Sequence, residues 1–174
     1  NGINDSDNAL FTPSGNQLIL NSTLDYQLQS SANINMQVSD GTNTFTKSFS
    51  FMIVDKTGPR LSALNIADDN GTIALQFDEA AFSTPSAIGS LTALDFAISS
   101  SGGSASLTSS MPSSITFDGT QYILRLPIQG TVNGDEVLSI DVVPNAIYDA
   151  LGNAASGLQS NTVSLYGDAD GDRV

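Results

Sequence analysis

The sequence predicts an all-β fold of tandem β-sandwich modules. Three observations carry that expectation: strict alternation of apolar and polar residues in short runs, Asn-Gly or Asp-Gly pairs between the runs, and almost no helical periodicity. Ile34, Met36 and Val38 alternate with Asn33, Asn35 and Gln37. Phe49, Phe51 and Ile53 alternate with Ser48, Ser50 and Met52, inside a strand expected from about residue 44 to 54. Ile73-Leu75-Phe77, Tyr122-Leu124-Leu126-Ile128 and Leu138-Ile140-Val142 repeat the pattern. Each reads as a strand with one face in a core and the other in water. Residues 99–114 are rich in Ser and Gly, with a short strand expected at 104–108. Asp40-Gly41, Asn70-Gly71, Asp118-Gly119 and Asn133-Gly134 supply the turn chemistry.

The organisation follows from one interruption. Asp55-Lys-Thr-Gly-Pro59 ends one long strand and precedes another near Leu61, and Gly with Pro stops a ladder and redirects the chain. Residues 1–56 are expected as one unit and 57–166 as a second, with a separate segment at 167–174. The first unit is short for a sandwich, which predicts an exposed sheet edge that another chain could fill. The chain opens on Asn1-Gly2-Ile3-Asn4 without a methionine. That is read as a piece of a longer protein whose export signal and anchor lie elsewhere.

Composition narrows the function. Eighteen acidic residues against five basic ones give a net charge of −13. Nucleic acid and anionic membranes need Lys/Arg footprints, so neither is an expected partner. No apolar run is long enough for a membrane-spanning helix. Only 13% of residues are charged and mean hydropathy is +0.01, so the polar surface is mainly Ser, Thr, Asn and Gln. This composition suits an extracellular module. Cysteine is absent, excluding disulfides and thiolate zinc sites. Histidine is absent too, excluding Ser-His-Asp and Cys-His catalysis. Two carboxylate pairs, Asp78-Glu79 and Asp135-Glu136, remain as glycosidase candidates. Neighbouring strand residues point to opposite faces, so neither pair converges by itself, and solvated loop charges explain both. No enzymatic activity is expected.

The residues that invite chemistry are oxygen donors. Asp168, Asp170 and Asp172 fall at every second position, the spacing that aims carboxylates at a calcium ion. Asp68-Asp69-Asn70 also groups three oxygens, although a hairpin turn favours the same residues. Phe49, Phe51, Phe77 and Tyr122 occupy inward-reading positions and are expected in cores. Tyr26, Tyr148 and Tyr166 are freer, which keeps carbohydrate binding as the alternative function. Asn21-Ser-Thr23 and Asn70-Gly-Thr72 match glycosylation acceptors, as expected by chance in a chain rich in Asn and Thr.

Three resemblances refine these expectations. Ala9-Leu-Phe11, Ser14-Gly-Asn-Gln-Leu18, Leu24-Asp-Tyr-Gln27, Val38-Ser-Asp-Gly41 and Ile53-Val-Asp55 resemble, in order and spacing, the later part of a cadherin-like repeat. That family holds calcium at repeat junctions, and the resemblance nominates Asp25, Gln27 and Asp55 as metal ligands. Gln27 departs from the family's Glu, and Lys56-Thr-Gly58 replaces the further carboxylates of its linker. Asp55-Lys-Thr-Gly-Pro59, Gly71-Thr-Ile-Ala-Leu-Gln-Phe-Asp-Glu79, Leu91-Thr-Ala-Leu-Asp-Phe96 and Ala146-Ile-Tyr-Asp-Ala-Leu-Gly-Asn153 resemble a bacterial immunoglobulin-like repeat of large surface proteins. Residues 167–174 resemble the start of a thrombospondin type 3 or dockerin-like calcium loop, with Arg173 where that family turns on Gly. Together these imply a non-enzymatic, calcium-dependent adhesion or spacer module of a large bacterial surface or secreted protein. Its partners would be neighbouring repeats of the same parent chain and a protein or glycan on a cell surface. The alternative is a carbohydrate-binding accessory module of a secreted polysaccharide-degrading enzyme.

Overall fold

The structure is a computed structural model that describes residues 7–156 and 161–167. It is all-β, and its chain divides into two compact units, Asn1–Lys56 and Thr57–Val174.

Among its described residues the first unit contains two antiparallel hairpins. The short one joins β1 (Phe11–Ser14) to β2 (Gln17–Leu20), and the long one joins β3 (Ser31–Ser39) to β4 (Thr44–Met52). Asp40 closes the long hairpin, its Oδ1 accepting the N–H groups of Thr42 and Asn43 at 2.9 and 2.7 Å. The register pairs Ala32 with Phe51, Ile34 with Phe49, Met36 with Lys47 and Val38 with Phe45, so these eight share one face. Burial follows the expected alternation only at one end. Ala32 and Ile34 are buried, and the Phe11 ring lies 5.9 Å from that of Phe51. Beyond them the cover stops. Met36 is 43% exposed, Val38 68% and Phe45 65%, and Phe51 itself is 42% exposed. The expectation that Phe51 lies in a core is therefore corrected: among the described residues the apolar side of this sheet is covered only in part, and Phe51 stays 42% exposed beside Phe11.

The second unit is a β-sandwich. One sheet has the order β5 (Leu61–Ile66), β6 (Thr72–Phe77), β10 (Tyr122–Arg125), β9 (Ser114–Phe117). The other runs β13 (Asn161–Ser164), β12 (Val137–Val142), β7 (Phe96–Ser101). A two-stranded pair, β8 (Ser106–Leu107) with β11 (Ile128–Gln129), lies beside them in sequence. Ile73, Leu75 and Leu124 from the first sheet share one core with Phe96, Ile98, Leu138, Ile140 and Val142 from the second. Two inner faces meeting over side chains of alternate positions define the sandwich. Phe77 and Tyr122 pack against that core as expected.

The run Tyr122–Ile128, expected as one strand, is two. Leu126 still donates to the Gly71 carbonyl at 2.9 Å, but Pro127 has no N–H and cannot extend the ladder. The chain changes neighbours there: the Pro127 carbonyl accepts from Thr108, and Ile128 pairs with Leu107. At the β9–β10 hairpin Asp118 binds the N–H groups of Thr120 and Gln121 at 2.9 Å each, and Gly119 takes φ 103°. That left-handed conformation explains the Asp-Gly pair.

Candidate functional site

Asp25, Gln27 and Asp55 belong to the first unit, and two of them meet. A turn at Tyr26–Leu28 is headed by Asp25, whose Oδ1 accepts the Gln27 N–H at 2.9 Å while its carbonyl accepts from Gln29 at 3.0 Å. This is the Asx geometry that Asp favours in turns. It places the Gln27 side chain against the residue leaving the last strand: Gln27 Nε2 donates to Asp55 Oδ2 at 2.8 Å, across 28 positions of sequence. Asp25 and Gln27 are exposed, whereas Asp55 is only 3% exposed. A carboxylate so far from water needs hydrogen bonds or a cation to offset its lost hydration.

The chemistry of this set suits a hard cation in part. Calcium takes roughly six to eight oxygens. Asp55 and Gln27 offer carboxylate and amide oxygens, while one Asp25 oxygen is already committed to the turn. With the amide as placed, Gln27 turns nitrogen toward Asp55, so holding an ion there would require its carbonyl to swing inward. Asp168, Asp170 and Asp172 lie outside the described residues.

The other acidic candidates have structural partners. Asp69 Oδ1 accepts the Gly71 N–H at 2.8 Å, and the Asn70 N–H donates to Ala67, so Asp68-Asp69-Asn70 forms the β5–β6 turn. Asn70, with φ 56°, turns its amide to Tyr166 and is only 8% exposed. Asp78 ties the start of β5 to the end of β6, accepting the Arg60 N–H at 2.8 Å and donating its own to the Arg60 carbonyl. Glu79, the next residue, is half-buried. Asp149 is buried in the loop that ends with Asn153, where Oδ1 accepts from the Leu151 and Asn153 backbones and Oδ2 from the Asn153 side chain.

Glu136 corrects the expectation of a solvated loop charge. Its side chain is fully buried, and four backbone N–H groups converge on it. Ser104 and Ala105 donate to Oε1 at 2.8 and 2.9 Å, and Asn133 and Gly134 to Oε2 at 3.0 Å each. The Ala105 N–H is the largest influence; with Ser104 and Asn133 it overcomes burial and holds the carboxyl at about 2. Such a group stays ionised and its oxygens are occupied, so it has no proton to give at neutral pH. Its exposed neighbour Asp135 is braced separately by the Asn133 side chain at 3.2 Å.

The tyrosines are dispersed. Tyr26 and Tyr166 are exposed, Tyr148 donates its hydroxyl to the Asn145 carbonyl at 2.8 Å, and Tyr122 packs on the core with its hydroxyl pKa raised by burial. Glu136 and Asp149 were missed as structural anchors by sequence reasoning. A carboxylate next to Asn133-Gly134 with Gly102-Gly103 upstream was the available signal for Glu136. No protein-family model, curated protein or solved structure matches this chain.

Proposed function

We propose that this chain is a non-enzymatic, calcium-dependent spacer or adhesion module of an extracellular surface or secreted protein. The observation that carries the reading is the buried Asp55 carboxylate, held by Gln27 where the first unit's chain enters the 55–59 linker. Calcium bound there would add charge compensation in a molecule of net charge −13 and restrain the linker that follows. The cadherin-like motif order and the all-β architecture support the same reading. Of the acidic pairs, Asp78 joins two strand ends, Asp135 is braced by Asn133, and Glu136 accepts from four backbone donors. Carbohydrate binding has less support, because no two exposed tyrosines belong to the same unit.

Calorimetric titration tests the reading. In a background where Asp168, Asp170 and Asp172 are all changed to Asn, the chain is expected to bind calcium, and Asp55→Asn is expected to abolish that binding. Absence of any heat at millimolar calcium in the parent background, or undiminished binding in Asp55→Asn, counts against it.

A further inference from the structure

The long hairpin of the first unit has an unpaired side. Asn33 and Asn35 direct their N–H groups to the side chains of Asp7 and Asn8, away from β4. The alternate residues Ala32, Ile34, Met36 and Val38 therefore face β4 and exchange bonds with Phe51, Phe49, Lys47 and Phe45. It follows that Thr44, Thr46, Ser48, Ser50 and Met52 point their N–H and C=O groups out of the sheet. Among the described residues no strand pairs with that edge, and every residue of β4 except Phe49 is exposed. Native edges are usually blunted by proline, bulges, short length or inward charges. This one is nine residues long, with neither proline nor bulge, and its only charge is Lys47.

We propose that β4 pairs antiparallel with β4 of a second copy of this chain, about a two-fold axis beside Ser48. The edge is self-complementary in that register. Ser48 meets its own equivalent, Thr46 meets Ser50, and Thr44 meets Met52, all through outward-pointing groups, as an isologous interface requires. On the apolar face Phe45 falls opposite Phe51 of the other copy, removing the two exposed rings from water together. Lys47 falls opposite Phe49 of the other copy and not opposite the second Lys47. The ammonium already lies 5.2 Å from its own Phe49 ring, so the pairing extends a cation–π contact that exists. The result is a continuous sheet of order β3-β4-β4-β3, in which the Val38–Phe45 row of each copy continues into the Phe51–Ala32 row of the other.

Electrostatics favours this strip over the rest of the surface. Two chains of charge −13 repel, yet β3 and β4 contain no carboxylate. The docking edge is thus the segment where copies approach with least opposition, and added salt should strengthen the dimer by screening the remainder. The proposal does not depend on calcium.

Sedimentation equilibrium of the full 174-residue chain in metal-free buffer provides the test. The expected result is a species of twice the 18.0 kDa chain mass that grows with salt. Ser48→Pro removes an outward N–H and leaves the β3-facing groups intact, so it should return the chain to a monomer with an unchanged circular dichroism spectrum. The chain has no native cysteine, which makes Ser48→Cys a direct reporter of the axis. Directly opposed residues on paired strands lie within disulfide reach. Ser48→Cys should therefore oxidise to a covalent dimer faster than Thr42→Cys in the hairpin turn. A chain that stays monomeric at millimolar concentration overturns the proposal. So does a dimer that survives Ser48→Pro, or equal oxidation rates for the two cysteine variants.

Discussion

The side-chain amide of Asn70 bonds both main-chain polar groups of Tyr166: Nδ2 donates to the carbonyl and Oδ1 accepts the N–H, each at 2.8 Å. An amide imitates a peptide group, so Asn70 acts as a one-residue strand that fastens the segment after β13 to the β5–β6 turn, 96 positions away. The same residue accommodates a left-handed backbone that most side chains resist. Glycosylation at Asn70 would destroy this arrangement, since its nitrogen is engaged and the residue is 8% exposed.

Replacing Asn70 separates its two roles. Asn70→Gly keeps the backbone conformation and loses the paired bonds, at an expected cost of about 1–2 kcal/mol. Asn70→Ala also incurs left-handed strain and should cost about 1 kcal/mol more. Urea unfolding of the two variants checks the order. Equal stability of Ala and Gly would mean that φ at this position carries no penalty.

Acid should weaken the second unit through its anchored carboxylates. Glu136 is held at about 2, against an ordinary value of 4.5, and Asp118 at about 2, against 3.8. For Asp118 the Gln121 backbone N–H is the main cause, followed by Thr120. Both are ionised more readily folded than unfolded, so their stabilisation is complete above the unfolded values. It is lost as pH falls from about 4.5 toward 2. Thermal melts across that window should show a steep decline, shallower in Glu136→Gln, which has no proton to take up. The Gln variant should also be less stable at pH 7, because its NH2 group faces N–H donors.

The Glu136 anchor also explains a glycine. Gly103 has φ 61°, and a Cβ there would lie 2.0 Å from Glu136 Cδ, with the carboxylate unable to withdraw from its four donors. Gly103→Ala should therefore lower the melting temperature well beyond the effect of left-handed strain alone. Gly119→Ala is the control, since its φ is also positive but nothing lies within 4 Å. Calorimetric melting of both variants separates the collision from the strain.

Core substitutions should divide the chain sharply. Phe96 is fully buried, with Phe77 at 6.5 Å, so Phe96→Ala should cost about 3–5 kcal/mol. Val38 has the same sequence pattern around it but is largely exposed, so Val38→Ser should change monomer stability by less than about 0.5 kcal/mol. Denaturant titration at low protein concentration compares them.

What could be read from the residues was local. Asp40-Gly41 and Asp118-Gly119 mark hairpins because the carboxylate and glycine act within three residues of themselves. Alternation placed β3, β4, β6 and β12 because a pleated strand repeats every two residues. Alternation reports which side of a strand is apolar, however, and not whether anything covers it. Phe51 therefore reads as core, although the Phe11 ring beside it leaves it 42% exposed. Glu136 was illegible for a different reason: two of its donors, Ser104 and Ala105, lie 32 and 31 positions upstream, and no local pattern announces them. The Gln27–Asp55 contact spans 28 positions and entered only through the cadherin-like resemblance.

The most direct measurement is the melting temperature in chelator, magnesium and calcium, for the native sequence and for Asp55→Asn. A ligand at a hundredfold excess over its dissociation constant stabilises the folded state by about 2.7 kcal/mol. For a chain of this size each kcal/mol corresponds to roughly 2–4 °C. Calcium held at Asp55 predicts a rise of several degrees with calcium, little with magnesium, and a much smaller rise in Asp55→Asn. Superimposable melts in chelator and millimolar calcium would contradict it.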